Sequence, residues 1–160
     1  MNPLDDLYQE LLLDHKRQPR NWGQLAHANA HAEGHNPLCG DTIRLDVVKN
    51  DGVVEDIAFE GAGCAICIAS ASLMTQAVKG RSVNEAQRLV RVMHEMLTGA
   101  TSSKDADDAY LGKLVVLRGV RRFPSRIKCA ALAWRALQQC VATQQDGPQG
   151  QESQDARDAA

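Results

Sequence analysis

The 160-residue sequence predicts an α+β fold, in which a three-stranded antiparallel sheet packs against several helices. Side chains alternate with a period of two between residues 26 and 60, and an Asn-Asp-Gly turn divides this stretch. On both sides of it, apolar residues recur with the three- and four-residue spacing of amphipathic helices. We expect a single domain over residues 1–142, followed by a disordered tail at 143–160 that has almost no apolar side chains.

The first predicted element is an N-terminal helix. Pro3 suits its first turn, and Pro19 ends it. Its apolar face repeats at the spacing of helical turns and comprises Leu4, Leu7, Tyr8, Leu11 and Leu12. We expect His15 on the exposed surface of this helix.

Three strands are predicted next. The weak alternation that begins at Ala26 predicts a short edge strand. Residues 42–49 and 53–60 alternate more clearly, and the turn at residues 50–52 between them predicts a hairpin. The inward side chains of this hairpin are expected to be Ile43, Leu45, Val47, Ile57 and Phe59.

Three further helices are predicted in the second half of the chain. One covers about residues 70–79, and the next begins at a capping box formed by Ser82 and Glu85. The last covers about residues 124–140. Residues 100–110 are polar and acidic, so we expect a loop or a mobile connection there.

Composition and charge argue against several classes of function. A formal charge of −2 gives no general attraction to nucleic acid. No apolar run approaches the roughly 18 residues of a membrane-spanning helix, and the first ten residues have neither a basic leader nor an apolar signal core. We therefore expect a soluble, cytoplasmic protein with no nucleic-acid or membrane partner. In a reducing compartment its 5 cysteines fit metal ligands, nucleophiles or packing residues better than disulfides.

Three cysteines lie where predicted elements begin or end, which is where sites assemble. Cys39 precedes the hairpin, Cys64 follows it at a glycine bend, and Cys129 lies in the first turns of the last helix. Asp41 lies two positions after Cys39, so in an extended segment both side chains point to the same face. Three thiolates and one carboxylate form a four-coordinate set that suits zinc or thiolate-bound iron. The alternative is an ordinary aspartate turn beside cysteines that only pack.

The other two cysteines, Cys67 and Cys140, are weaker candidates for site residues. Cys64 and Cys67 form a CxxC pair, but the sequence has neither the second pair of a zinc ribbon nor the βαβ context of a thioredoxin-like site. Cys140 follows Cys129 by three helical turns, about 16 Å along the axis. It therefore cannot share a metal with Cys129, and we expect it to pack in the core.

Cations crowd the approach to Cys129. They form either a solvated face or a positive cluster that lowers the pKa of the thiol. The members of this cluster are Arg118, Arg121, Arg122, Arg126 and Lys128.

The segments "NPLCGD", "GAGCAICIASASLMTQAVKG" and "GVRRFPSRIKCAALAWRAL" resemble the U-type iron–sulfur cluster assembly proteins, which include IscU and the N-terminal domain of NifU. Two features favour the SufU branch. Lys128 replaces the histidine that precedes the third cysteine of IscU-type scaffolds, and the segment from about Thr98 to Arg118 matches a SufU-type insertion. Cys67 stands where the family more often has serine or another small residue.

This resemblance implies a sheet of three strands with about five helices and a zinc ion held by Cys39, Asp41, Cys64 and Cys129. If the chain is an enzyme, the implied activity is that of a zinc-dependent sulfurtransferase. It would accept persulfide sulfur on Cys39 from a SufS-type cysteine desulfurase and serve the downstream iron–sulfur assembly machinery. The alternative is a scaffold that holds Fe²⁺ or a [2Fe–2S] cluster on the same ligands, and a third possibility is a purely structural zinc.

Cationic residues are also given roles by the resemblance. Arg126 is expected to pair with the Asp41 carboxylate when a partner displaces it from the metal. The cations expected to assist at the partner surface are Lys128, Arg121 and Arg122. The role of Cys67 stays open.

Overall fold

The computed structural model describes residues 3–38, 40–99 and 109–142, and the predicted α+β fold is confirmed within these ranges. They contain three strands and five helices, one of which is a 3₁₀ helix. In chain order the elements are α1 (Pro3–Arg17), β1 (Ala30–Asn36), β2 (Asp41–Asn50), β3 (Val53–Ala62), α2 (Ala65–Val78), α3 (Val83–Thr98), the 3₁₀ helix (Gly112–Arg122) and α4 (Pro124–Ala142). The predicted tail at 143–160 and most of the predicted loop at 100–110 lie outside the described residues.

The sheet is antiparallel throughout, with strand order β1-β2-β3. The predicted hairpin is confirmed, because β2 and β3 pair on either side of the turn at residues 51 and 52. A β-bulge between Val48 and Lys49 shifts the register near the end of β2. Since a bulge re-aims the side chains beside it, Lys49 lies inside the fold, where its Nζ donates to the Cys140 carbonyl at 2.7 Å.

One face of the sheet forms the core with the helices. The five side chains predicted to point inward from the hairpin are all buried. Helices α2 and α4 pack against each other through a polar contact within this core. The Ser70 hydroxyl donates to the Ala130 carbonyl at 2.7 Å and accepts from the Trp134 indole N–H at 3.1 Å. No helix in the described ranges is long and apolar enough to cross a membrane.

Two predicted boundaries are wrong. The edge strand begins at Ala30 rather than Ala26, because residues 26 and 27 form a turn and Asn29 uses its side-chain amide, instead of regular strand pairing, to bond the backbone of Lys49 in β2. Helix α2 begins at Ala65 rather than near Ser70, because Cys64 serves as its N-cap and accepts the Cys67 N–H on its sulfur at 3.4 Å. Serine, threonine, aspartate and asparagine are the usual capping residues, so the sequence carries no ordinary signal for this start.

The expectation that His15 lies on the surface is also wrong. Its side chain comes from the last turn of α1 and is only 2% exposed. His15 lies on the buried face of α1, since it follows the buried residues Tyr8 and Leu12 by seven and three positions. Its Nδ1 lies 2.6 Å from the Ser72 hydroxyl oxygen of α2, which gives the buried ring a polar partner.

The 3₁₀ helix directly precedes α4 in the chain and packs against α1. Runs of more than three or four 3₁₀ residues are uncommon, and packing holds this one in place, since four of its apolar side chains are buried. Gly119 allows the close approach of α1, because a Cβ there would lie 2.9 Å from the Tyr8 ring. This contact brings Tyr8 and Arg122 to the same end of the fold as Cys64.

Candidate metal centre

Asp41, Cys64 and Cys129 meet at one end of the fold. Each offers one ligand atom, and these atoms all lie within 4.8 Å of one another. Asp41 is the first residue of β2, Cys64 caps α2, and Cys129 lies in the second turn of α4. Asp41 and Cys129 are each 1% exposed, whereas Cys64 is partly exposed. Three separate elements therefore build one cluster with an open side at Cys64.

Asp41 is held by the chain around Cys64. Its Oδ1 accepts the Cys64 N–H at 3.0 Å, and its Oδ2 lies 3.7 Å from the Cys64 sulfur. Gly63 is needed for this approach, because a Cβ at that position would lie 2.8 Å from the Asp41 carboxyl carbon and closer still to Oδ1. The carboxylate is thus positioned by a backbone donor and by the absence of a side chain next to Cys64.

The donor set fits zinc. Zn–S and Zn–O distances of about 2.3 and 2.1 Å in a tetrahedral site require a separation of about 3.6 Å between sulfur and oxygen. The Cys64 sulfur and Asp41 Oδ2 are 3.7 Å apart. Two thiols and a carboxylate leave one ligand position unassigned among the described residues. The same atoms also suit iron, which takes thiolate ligands in proteins.

Cys39, the predicted fourth ligand and sulfur acceptor, lies outside the described residues, so both of its roles stay predictions. The residues beside it form a turn at the end of β1. The Gly40 N–H donates to the Asn36 carbonyl at 2.8 Å, and the Leu38 N–H donates to the Asn36 side-chain oxygen at 3.2 Å. Leu38 is 81% exposed.

Arg126 lies directly beside the cluster. A hydrogen bond to Cys129, the charges of Cys64 and Cys129, and a weaker hydrogen bond to Cys64 raise the pKa of the Arg126 guanidinium. The guanidinium thus places one positive group beside both sulfurs.

The other predicted cations are placed differently. The Arg122 guanidinium lies 5.9 Å from the centre of the Tyr8 ring. Burial is the main cause that raises the pKa of Tyr8; Arg122 opposes it, and the charge of Cys64 adds to it, which puts Tyr8 within electrostatic range of the cluster. Arg121 lies against Gly99 at the end of α3, with its Nη2 3.2 Å from where a Cβ would be. Lys128 is exposed on α4.

Cys67 and Cys140 are core residues. Cys67 is fully buried one helical turn after Cys64 and does not join the group of close ligand atoms. Cys140 is also buried, and burial raises the pKa of its thiol to about 12. The predicted packing position of Cys140 is confirmed.

Two neighbours of the cluster carry no signal for it in the sequence. Tyr8 has the helical spacing of any core residue, and its approach to Cys64 depends on Gly119 in a distant part of the chain. Gly63 is recognisable as a bend residue, but its close approach to Asp41 becomes evident only in three dimensions.

The chain is similar to known proteins over most of its length. The profile of the NifU-like N-terminal domain matches residues 7–130. The zinc-dependent sulfurtransferase SufU of Bacillus subtilis is 43% identical over 145 residues, which cover 90% of this chain and 95% of that protein. The scaffold protein IscU of Streptococcus pyogenes is 41% identical over 141 residues, which cover 88% and 86% of the two chains.

A solved structure shares the fold as well. It is a crystal structure from Fervidobacterium islandicum, described as an iron–sulfur cluster assembly scaffold protein for the SUF system. Its TM-score is 0.78 at 28% identity, over 85% of this chain and 97% of that one. The chain therefore belongs to the NifU-like N-terminal domain family, as a SufU-type member.

Proposed function

We propose that this chain is a zinc-dependent sulfur carrier in iron–sulfur cluster assembly, which accepts persulfide sulfur from a SufS-type cysteine desulfurase. The observation that carries the proposal is the close cluster of Asp41, Cys64 and Cys129. Cys39 is the proposed fourth ligand, since it lies two positions from Asp41. The similarity to a zinc-dependent sulfurtransferase supports this choice of metal and activity.

Each residue of the cluster has a proposed role. A zinc ion bound there keeps the coordinated thiols in the thiolate form and protects them from oxidation. Cys129 is held by a helix and Cys64 by a helix cap, so both are fixed ligands. Asp41 is the exchangeable ligand, because carboxylate oxygen is a harder donor than thiolate. Arg126 is close enough to the sulfurs to pair with Asp41 once a docked partner has displaced it.

The proposed transfer is a thiol–disulfide type of exchange. The Cys39 thiolate attacks the outer sulfur of the cysteine persulfide on the desulfurase. The S–S bond of the donor breaks, a new S–S bond forms on Cys39, and the donor cysteine leaves as a thiolate. No external oxidant or reductant is required. The sulfur would then pass to downstream iron–sulfur assembly machinery in the cytoplasm, where reducing conditions preserve free thiols.

A second candidate is a scaffold that assembles a [2Fe–2S] cluster. The similarity to IscU of Streptococcus pyogenes favours it, and so does the description of the related Fervidobacterium structure as a scaffold protein. Both functions would use the same donor atoms, so the ligand geometry alone does not separate them.

Metal analysis and absorbance spectra of protein isolated without oxygen distinguish the sulfur carrier from the scaffold. One zinc per chain and a colourless sample are expected for the carrier, whereas iron with visible charge-transfer bands would support the scaffold. After reaction with the desulfurase and cysteine, mass spectrometry of peptides is expected to locate one added sulfur atom on Cys39. Sulfur on Cys64 or Cys129 instead would contradict the role of Cys39.

A further inference from the structure

A buried hydrogen-bond network joins the end of α1 to the middle of α2, about 12 Å along α2 from the Cys64 cap. Its centre is the Ser72 hydroxyl, which lies 2.6 Å from His15 Nδ1 and accepts the Arg20 N–H at 2.8 Å. Thr75 continues the network, since its hydroxyl donates to the Ser72 carbonyl at 2.7 Å. Ser72 and Thr75 are fully buried, so each proton in this network must have an acceptor.

These contacts assign the proton between His15 and Ser72. A serine hydroxyl has one hydrogen and two lone pairs. The Arg20 amide can only donate, so it occupies one lone pair of Ser72. If His15 Nδ1 also donated, the Ser72 hydrogen would have no acceptor, because within the described ranges this hydroxyl has only these two partners. Ser72 therefore donates to an unprotonated Nδ1, and the proton of the neutral ring is on Nε2.

We propose that His15 is a proton-sensitive latch, whose neutral ring fastens α1 to α2 and whose protonation at Nδ1 releases α1. A protonated Nδ1 is a donor, so it cannot accept the Ser72 hydrogen, and the positive ring would be buried. The latch does not depend on the proposed sulfur transfer.

The groups around the ring also oppose its protonation. The pKa of His15 is lowered from an ordinary 6.5 to about 4, and burial is the largest cause. The positive charges of Arg20 and of Lys113 in the 3₁₀ helix contribute to this lowering, while Asp14 on α1 itself opposes it. Helix α2 contributes the neutral Ser72.

Release of α1 would also change the surroundings of the thiol cluster. Tyr8 lies in the second turn of the same helix and packs on Gly119. The Arg122 guanidinium lies near its ring, and the charge of Cys64 contributes to its raised pKa. Loss of α1 packing therefore removes Tyr8 and its contact with Arg122 from the surroundings of Cys64. The latch thus couples pH to the exposure of that side of the site.

The direction of the effect follows from the two pKa values. In the released helix His15 takes up a proton near pH 6.5, whereas in the docked helix it does so only near pH 4. Docking of α1 is therefore strongest above pH 6.5 and weakens as the pH falls toward 4. For one proton, the opening equilibrium constant rises by up to about tenfold per pH unit in this window.

Amide hydrogen exchange of α1 in the zinc-loaded full chain, corrected for the intrinsic exchange rate, measures this constant. The comparison is with His15→Asn, whose amide oxygen can accept the Ser72 hydrogen but does not titrate. We expect the ratio of wild-type to variant opening constants to rise about tenfold per pH unit below 6.5. Any loss of zinc by thiolate protonation affects both proteins and cancels in the ratio. A ratio independent of pH would overturn the latch.

Nitrogen NMR of the wild-type protein gives an independent test that does not require the variant to fold. At neutral pH, His15 should show an unprotonated Nδ1 and a protonated Nε2. In Ser72→Ala the pKa of His15 should rise, because the donor that favours the neutral ring is gone. His94→Asn, at an exposed position on α3, is the matched control and should change neither result. A neutral ring protonated at Nδ1 would contradict the proton assignment and with it the latch.

Discussion

Gly63→Ala is the sharpest test of how the chain positions its carboxylate ligand. The added Cβ would lie 2.8 Å from the Asp41 carboxyl carbon. Carbon atoms pack optimally at about 3.5 Å or more, so Asp41 must move by roughly 0.7 Å. Metal–ligand distances in proteins stay within about 0.2 Å of their typical values, so a shift of this size takes the carboxylate oxygen out of its ligand position. We therefore expect the zinc affinity to fall about 10- to 100-fold, which corresponds to about 1.4–2.8 kcal/mol.

Competition with a chromophoric zinc chelator measures this loss. Gly52→Ala is the control, because Gly52 has a φ of +75° and no atom within 4 Å of its added Cβ. An alanine there costs about 1–2 kcal/mol of backbone strain without touching Asp41. The control should thus lower the thermal stability of the chain and leave its zinc affinity unchanged. Wild-type zinc affinity in a folded Gly63→Ala variant would refute the argument that Gly63 sets the position of Asp41.

Three further predictions concern the cluster and its surroundings. Cys129→Ala should lower zinc affinity at least tenfold, whereas Cys140→Ala should keep the zinc content and lose only thermal stability; equal zinc loss in both would contradict the site. Asp41→Ala should still bind zinc, more weakly, while stimulation of the desulfurase falls below what the zinc occupancy explains; wild-type values of both would make Asp41 only a turn residue. Arg126→Ala should reduce desulfurase stimulation more than the matched Arg121→Ala, because Arg126 contacts the thiols whereas Arg121 lies against Gly99; equal effects would favour a general positive surface.

The local parts of the fold follow from the sequence alone. The hairpin could be predicted because alternation and the Asn-Asp-Gly turn act between near neighbours. Helix α3 could be predicted in the same way: the Ser82 hydroxyl accepts the Glu85 N–H at 3.0 Å, and Gly99 ends the helix with a φ of +79°. The grouping of Asp41, Cys64 and Cys129 was also predicted, although from element ends and family motifs rather than from any distance.

The remaining features required tertiary structure, because each depends on residues far apart in the chain. The position of Asp41 depends on its hydrogen bond with the backbone of Cys64, 23 residues later in the chain. His15 continues the spacing of the apolar face of α1, three residues after Leu12. A buried imidazole needs a polar partner, however, and that partner, Ser72, lies 57 residues later in the chain. Packing also separates cations that look equivalent in sequence, since Arg126 reaches the thiols while Arg121 lies at the end of α3. Sequence patterns report turns, caps and periodicity, whereas the site depends on which distant side chains the closed core brings together.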